Sequence, residues 1–267
     1  MELTAKAIEI KVLGVARLIL LLLCISTVCS CHSQTADDKI VLINVEDYDK
    51  GRIAKLISKI NTLTPKVISL DIAFPKYTGG IDDKSLYLAL RNAKKLILPS
   101  EISSEGQDYQ GNEIISVYLT CAGEFFVPNA KTGFVSVELN KNQRQIPKHF
   151  IVSQKGSYSE DIYYHFSVVT AMAFDSLRAS RFVQSHERLM DVDFKNGKRK
   201  FRTLSATEIL NGNLIKSEIE GRIVMLGFLG PGEQDKFFTP FNSNPSKPDM
   251  YGLQYLANIV AQVLECK

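Results

Sequence analysis

The sequence predicts an α/β fold, in which helices flank a mixed, mainly parallel sheet in a single domain. Two continuous apolar runs, residues 39–46 and 66–74, are typical of strands in a sheet that is covered on both faces. Between them, apolar residues recur at helical spacing from Ile53 to Leu63, so the stretch predicts a β-α-β unit. A third apolar run, residues 223–228, leads into a glycine-rich loop and then an amphipathic helix from Gly252.

The elements between these blocks are predicted from local signals. Asp82-Asp83 should cap a helix that reaches Ala93, and residues 95–102 should form a strand. Further predictions are a strand over 133–139 with which 149–152 could pair, one long helix over 161–177, a β-hairpin excursion at Asn196-Gly197, and a capping box formed by Ser205 and Glu208.

Composition excludes several classes of protein. The chain has 267 residues, 45% of them hydrophobic, and a net charge of only +3, which does not indicate nucleic-acid binding. The basic cluster Lys198-Arg199-Lys200 with Arg202 is expected to be a solvated hairpin and not a phosphate site. No cysteine or histidine spacing indicates a metal site, and no cofactor is predicted.

The N-terminal segment, residues 1–31, is predicted to be a signal peptide or a membrane anchor. Its apolar run, Leu18–Val28, is shorter than the roughly 20 residues that span a bilayer. Cys31 follows a sequence that resembles a lipobox, so it is the expected lipidation site of a lipoprotein, and an uncleaved transmembrane anchor is the alternative. Either attachment places the protein on the membrane, facing the periplasm or the cell exterior. A bridge between Cys121 and Cys266 stays open.

Candidate site residues lie where the predicted parallel strands end. These residues are Asn44, Glu46, Asp71, Asp235 and Lys236. Ligands of open α/β sheets bind beyond the carboxyl ends of the strands. An unpaired carboxylate inside an apolar strand is unfavourable, so Lys236 or Arg52 is expected to pair with Asp71 or Asp235. The glycine loop at 227–232 does not lead directly into a helix, which argues against a phosphate site.

Several motifs resemble the second type of CHASE domain, a cyclase- and histidine-kinase-associated sensory extracellular domain. They are IVLINVED from Ile40, PKVISLDIAF from Pro65, GFVSVEL from Gly133, GRIVMLGF from Gly221, DKFFTP from Asp235, and PDMYG from Pro248 with Ala257-Asn258. The resemblance covers roughly residues 38–265.

The resemblance implies a non-catalytic extracytoplasmic sensory or ligand-binding domain of a bacterial signalling system. Its ligand, a small molecule or a protein, is unknown. Because no output domain follows residue 265, a separate signalling protein is the expected partner. The alternative is a structural or scaffolding lipoprotein that binds protein partners at the membrane. A hydrolase that uses the strand-end carboxylates is a third hypothesis.

Overall fold

The structure, a computed structural model, describes residues 35–107, 113–120, 125, 127–135, 147–156, 161–197, 199–213, 216–232 and 235–266. Residues Ala36–Lys267 group into one unit. In these described ranges, no helix is both long and apolar enough to cross a membrane. Cys31 and Cys121 lie outside the described residues, and Cys266 is free and half-buried.

The elements alternate between strands and helices along most of the chain. In chain order they are β1 (Ile40–Asn44), α1 (Lys50–Thr62), β2 (Val67–Leu70), α2 (Ile81–Asn92), β3 (Leu96–Gln107), β4 (Glu113–Leu119), β5 (Ala130–Phe134), β6 (His149–Ile151), β7 (Ser153–Lys155), β8 (Ile162–Tyr164), α3 (Phe166–Phe174), α4 (Ser176–Ser185), β9 (Leu189–Asp191), β10 (Arg202–Ser205), α5 (Ala206–Leu210), β11 (Ile223–Gly227), β12 (Lys236–Phe237), β13 (Met250–Tyr251) and α6 (Gly252–Glu265).

The main sheet confirms the mixed, mainly parallel prediction. Its parallel strands follow the order β10-β1-β11-β2-β3-β5, and β4 pairs antiparallel with the second half of β3. The strand that precedes Asp71, β2, is the direct neighbour of β11, as expected from the β-α-β crossovers. β1, β11 and β2 therefore end side by side.

Helices cover both faces of this sheet, which is why its central strands are apolar without alternation. Along β1, Val41 and Ile43 pack with α1, α2 and α5, whereas Ile40 and Leu42 pack with α3, α4 and α6. Successive strand residues point to opposite faces, so a single strand contributes to both cores. The connections from β1 and β2 enter helices on the first face, and the connection from β11 enters α6 on the second.

The predicted hairpin at Asn196-Gly197 is wrong. Both residues have left-handed φ values, 54° and 74°, but they belong to a 3-10 turn over Lys195–Gly197. The flanking strands then separate: β9 pairs with β6, and β10 joins the main sheet parallel to β1. The predicted pairing of residues 149–152 with the strand at Gly133 is also wrong. Residues 149–151 form β6, which pairs with β9, whereas the strand that contains Gly133, β5, pairs with β3.

The single helix predicted over 161–177 is also wrong. Residues 162–164 form β8, and α3 begins afterwards because the His165 ring accepts a hydrogen bond from Ser167 N at 3.2 Å. The chain breaks again at Asp175, whose carboxylate accepts from Arg178 N and so starts α4. The capping box of Ser205 and Glu208 is present, as predicted.

Two charged groups have roles that differ from their predicted ones. Gly80 is the N-cap of α2, and Asp83 instead accepts hydrogen bonds from Thr78 and Gly79 in the preceding loop. Arg199 was expected in a solvated hairpin, but its side chain is 2% exposed and forms ion pairs with Asp37 and Glu265.

Candidate functional site

The carboxyl ends of β1, β11 and β2 lie side by side at a switch point of the sheet, and this edge, with the loops that follow the three strands, is called the crevice. The chain leaves β1 and β2 toward one face and leaves β11 toward the other, so the loops after these strands diverge. Such a divergence is where open α/β sheets bind ligands. Asn44, Asp71 and Asp235 all lie on these strand ends or in the loops that follow them.

Asn44, the last residue of β1, connects two of these loops. Its Oδ1 accepts hydrogen bonds from Glu46 N at 3.1 Å and from Leu229 N at 2.9 Å. The first bond closes the turn after β1, and the second fixes the loop after β11. Asn44 therefore shapes the crevice by holding its two sides together.

Glu46 belongs to a network outside the crevice. It has a left-handed φ of 67°, forms an ion pair with Arg52, and accepts a hydrogen bond from Thr207 Oγ1 at 2.7 Å. Arg52 Nη1 also lies 3.7 Å from Asp47 Oδ2. The network connects the loop after β1 to α5, so Glu46 and Arg52 are partners of each other and not of Asp71.

Asp71, directly after β2, carries a carboxylate that lacks a partner. Its backbone N–H donates to Leu226 O at 2.8 Å, which fixes the main chain against β11. The half-buried side chain makes no hydrogen bond or ion pair with any residue that the structure describes. Burial, together with the charge of nearby Asp235, raises the pKa of Asp71 to about 7.

Asp235 lies opposite, where the loop after β11 meets the start of α6. Its φ is 59°, and its carbonyl accepts from Gly252 N at 2.8 Å. A Cβ on Gly252 would lie 2.7 Å from Asp235 Oδ1, so the glycine leaves room for the carboxylate. Burial raises the pKa of Asp235 as well.

The predicted ion pair across this crevice is wrong. Lys236 does not reach either carboxylate, because its ammonium lies over the Tyr251 ring, 4.4 Å from the centroid, where β12 pairs with β13. Arg52 is held by Glu46 and Asp47. Of the five candidate residues, the structure thus brings Asp71 and Asp235 near each other and places Asn44 at the same edge, across β11 from Asp71. Glu46 and Lys236 have other partners.

Two aromatic residues of the crevice were not predicted. Tyr48 and Phe228 stack with ring centroids 6.3 Å apart and an interplanar angle of 22°. The Tyr48 residue is 57% exposed. Partial burial and the charges of Asp235 and Asp71 raise the pKa of its hydroxyl, which indicates that the ring lies near both acids. Phe228 follows the last residue of β11 directly, and Tyr48 lies in the loop after β1, so the strand-end rule that selected the polar residues could also have selected them.

The described residues offer no assembled metal or nucleophile site. No three His, Cys, Asp or Glu residues in those ranges lie close enough together to hold a metal ion. His165 is fully buried with its ring near Phe134 and Phe150, and burial lowers its pKa to about 3, so it is a neutral core residue. The crevice can accept hydrogen bonds and bind positive charge through two carboxylates.

A separate cavity of about 640 Å³ lies beside α6 and is lined by none of the five candidate residues. Its wall includes Gln254, Asn258 and Phe241. The sequence showed only the apolar face of α6, and nothing in its periodicity set these two amides apart.

Comparison with known proteins identifies one family. The model of the CHASE2 domain matches residues 36–267, which is the whole unit that contains the sheet and both helical layers. No curated protein and no solved structure matches the chain. On the strength of that match, the chain belongs to the CHASE2 family of extracytoplasmic sensory domains.

Proposed function

We propose that this domain binds a ligand outside the cytoplasm, without converting it, at the crevice formed by Asp71 and Asp235. One observation carries the proposal: the half-buried carboxylate of Asp71 has no partner among the described residues, although it faces the charge of Asp235. Family membership supports a sensory role, and the switch-point position supports ligand binding at this edge.

A comparison with Asp83 supports a ligand role for Asp71 over a packing role. Asp83 is 2% exposed and fully engaged: it pairs with Lys50 at 2.6 Å and accepts from Thr78 Oγ1 at 2.7 Å, and these bonds lower its pKa. Structural carboxylates in this fold are therefore paired, as buried polar groups normally are. Asp71 has no such partners among the described residues, and its pKa is raised and not lowered.

The environment defines the kind of group that Asp71 would contact. An ionised carboxylate with an acidic neighbour is stabilised by a cation or by a strong hydrogen-bond donor. The stacked rings of Tyr48 and Phe228 add an exposed apolar surface on which the rest of a ligand could lie. An amine or guanidine attached to an apolar group combines both features.

The test is a thermal-shift screen of the full chain against amino acids, polyamines and soluble cell-wall peptides. A ligand should raise the melting temperature, and Asp71→Asn should abolish that rise. Glu187→Gln changes an exposed carboxylate and is the matched control. The proposal fails if the folded protein responds to none of these compounds, or if a response survives replacement of both Asp71 and Asp235.

The same screen separates the competing functions. Conversion of a compound in an Asp71-dependent reaction would indicate a hydrolase. A stoichiometric protein partner that stays bound after both acids are replaced would indicate a scaffold.

We also propose that residues 1–31 direct the domain to the membrane and that Cys31 becomes lipidated there. The short apolar run and the lipobox-like sequence before Cys31 support this attachment.

A further inference from the structure

A cavity of about 640 Å³ lies between α6, the 3-10 turn at 195–197 and the loop that joins β12 to β13. Its volume is within the range of small-molecule sites, roughly 300 to 1,000 Å³. Phe194 forms part of its buried wall, and Phe241, which is 48% exposed, lies on the side formed by the loop. An exposed aromatic ring next to a cavity offers an apolar surface that a ligand can cover.

Two amides on α6 contribute complementary hydrogen-bonding groups to the wall. Gln254 and Asn258 are four residues apart, so they lie on the same face of the helix. Gln254 Oε1 accepts from Tyr251 N at 3.1 Å, and Asn258 Nδ2 donates to Gln254 O at 2.8 Å. These backbone contacts fix both amide orientations.

The opposite end of each amide is left without a partner in the described structure. For Asn258 this end is Oδ1, a buried acceptor in a residue that is only 2% exposed. For Gln254 it is Nε2, which makes no hydrogen bond with the described residues. A buried acceptor without a partner is rare and destabilising. Arg52 Nε and His165 Nε2 are also buried without partners among the described residues, but of these three residues only Asn258 lines this cavity, so a bound molecule is its candidate partner.

The charged side chains in the wall are already engaged, with one exception. Arg199 forms ion pairs with Asp37 at 2.7 Å and Glu265 at 2.9 Å. Asp249 accepts two hydrogen bonds from Thr239, at 2.8 Å and 2.7 Å. The exception, Lys200, is exposed to solvent. A ligand that contacts Gln254 and Asn258 would therefore meet a donor, an acceptor and aromatic surface, whereas the two charges without an ion pair in the described ranges, Asp249 and Lys200, lie on exposed residues.

We propose that this cavity is a second binding site, which takes a neutral sugar. One hydroxyl accepts a hydrogen bond from Gln254 Nε2, and the adjacent hydroxyl donates to Asn258 Oδ1. A hydroxyl both donates and accepts, so neighbouring hydroxyls satisfy the pair in one geometry. The C–H face of the sugar ring packs on Phe194 or Phe241. This site uses different residues from the Asp71 crevice and does not depend on the function proposed there.

Saturation-transfer NMR of the full chain with glucose, galactose, mannose, N-acetylglucosamine and maltose tests the proposal. At least one sugar should bind with a Kd in the millimolar range or below. Gln254→Glu keeps the acceptor for Tyr251 N but removes the donor, and should weaken binding at least tenfold. Gln184→Glu makes the same chemical change on exposed α4 and should leave binding unchanged.

A second variant guards against an effect of unfolding. Asn258→Leu has a similar volume and removes the unpartnered acceptor, so binding should be lost while the melting temperature stays the same or rises. Absence of binding by every sugar overturns the proposal. Sugar binding that survives both α6 variants overturns it too, as does uracil or nicotinamide binding with no sugar binding, which would indicate a planar amide ligand.

Discussion

The most informative perturbation is Asp71→Asn, because it removes a charge that the fold does not neutralise. In the folded state the pKa of Asp71 is raised from its usual value of 3.8 to about 7. The native protein therefore binds an extra proton between these pH values, and its stability falls as the pH rises through that window. Asparagine cannot ionise, so the variant lacks this contribution.

The expected magnitude follows from the size of the pKa change. At about 1.4 kcal/mol per pKa unit, a change from 3.8 to about 7 corresponds to at most about 4.5 kcal/mol. Because the carboxylate is half-buried and solvent screens it, we expect the variant to be more stable than the parent by about 1 to 3 kcal/mol above about pH 8. The two proteins should be equally stable below about pH 3, where Asp71 is protonated in both the native and the unfolded state.

Urea unfolding of the full chain at several pH values measures this difference. The chain has no tryptophan, so unfolding is followed by far-ultraviolet circular dichroism. The difference in unfolding free energy between parent and variant isolates Asp71, because every other group titrates in both proteins. Glu187→Gln is the control and should change stability by less than about 0.5 kcal/mol at every pH. A difference in unfolding free energy that does not change with pH would refute the reasoning, as would a variant that is less stable than the parent at high pH.

Three further predictions test the crevice, the packing of the sheet and membrane attachment. Asp235→Asn removes the neighbouring charge and should lower the pKa of Asp71, measured by carboxyl carbon NMR; an unchanged pKa would show that the two acids do not interact. Gly133→Ala should destabilise the fold by about 3 kcal/mol, because the new Cβ would lie 2.6 Å from a backbone atom of α3, and unaltered urea unfolding would contradict this close contact. Cys31→Ser should abolish palmitate incorporation and globomycin-sensitive processing, whereas a full-length mass in the unaltered chain would indicate the uncleaved anchor.

The elements that the sequence predicted correctly are strands buried on both faces and helices buried along an apolar stripe. In these elements, burial decides which positions are apolar. β1, β2 and β11 read as unbroken apolar runs because helices cover both faces. α1 shows helical periodicity because its apolar stripe is buried and its other side is exposed, whereas α6 is buried at most of its positions and is apolar nearly throughout. For such elements the local pattern and the tertiary environment agree.

The errors arose where the partner of a segment lies far away in sequence. An Asn-Gly pair signals a tight turn, and Asn196 does turn, but no local signal shows that β9 pairs with β6 and β10 with β1. The break at Asp175 has a different cause: it depends on a local contact, in which one carboxylate caps α4 by accepting from the N–H three residues later, and the periodic apolar pattern conceals this contact.

The candidate site was predictable in position but not in its charge pairing. The predicted direction of the parallel strands places the residues that follow them at one edge of the sheet, so the sequence alone was enough to group Asp71 with Asp235. Which cation neutralises which acid depends on side-chain reach over a few ångströms. Arg52 is held by Glu46, and Lys236 lies over a tyrosine ring, so the acids of the crevice remain without a cation among the described residues.

The polar groups that lack partners give the strongest argument about where this protein acts. Elsewhere in the described structure, carboxylates such as Asp83 and Glu265 are paired, and the buried hydroxyls of Ser69 and Thr170 bond to each other at 2.9 Å. Arg52 Nε and His165 Nε2 are also buried without partners in these ranges, but Asp71 and Asn258 are the exceptions that lie at the crevice and in the cavity wall. These two exceptions lower stability, and a sequence selected for stability alone would remove them. The segment between β11 and α6 contributes to both places, with Asp235 at the crevice and Phe241 at the cavity. A ligand at either place would therefore contact the same loop, which makes this segment the best candidate to report binding.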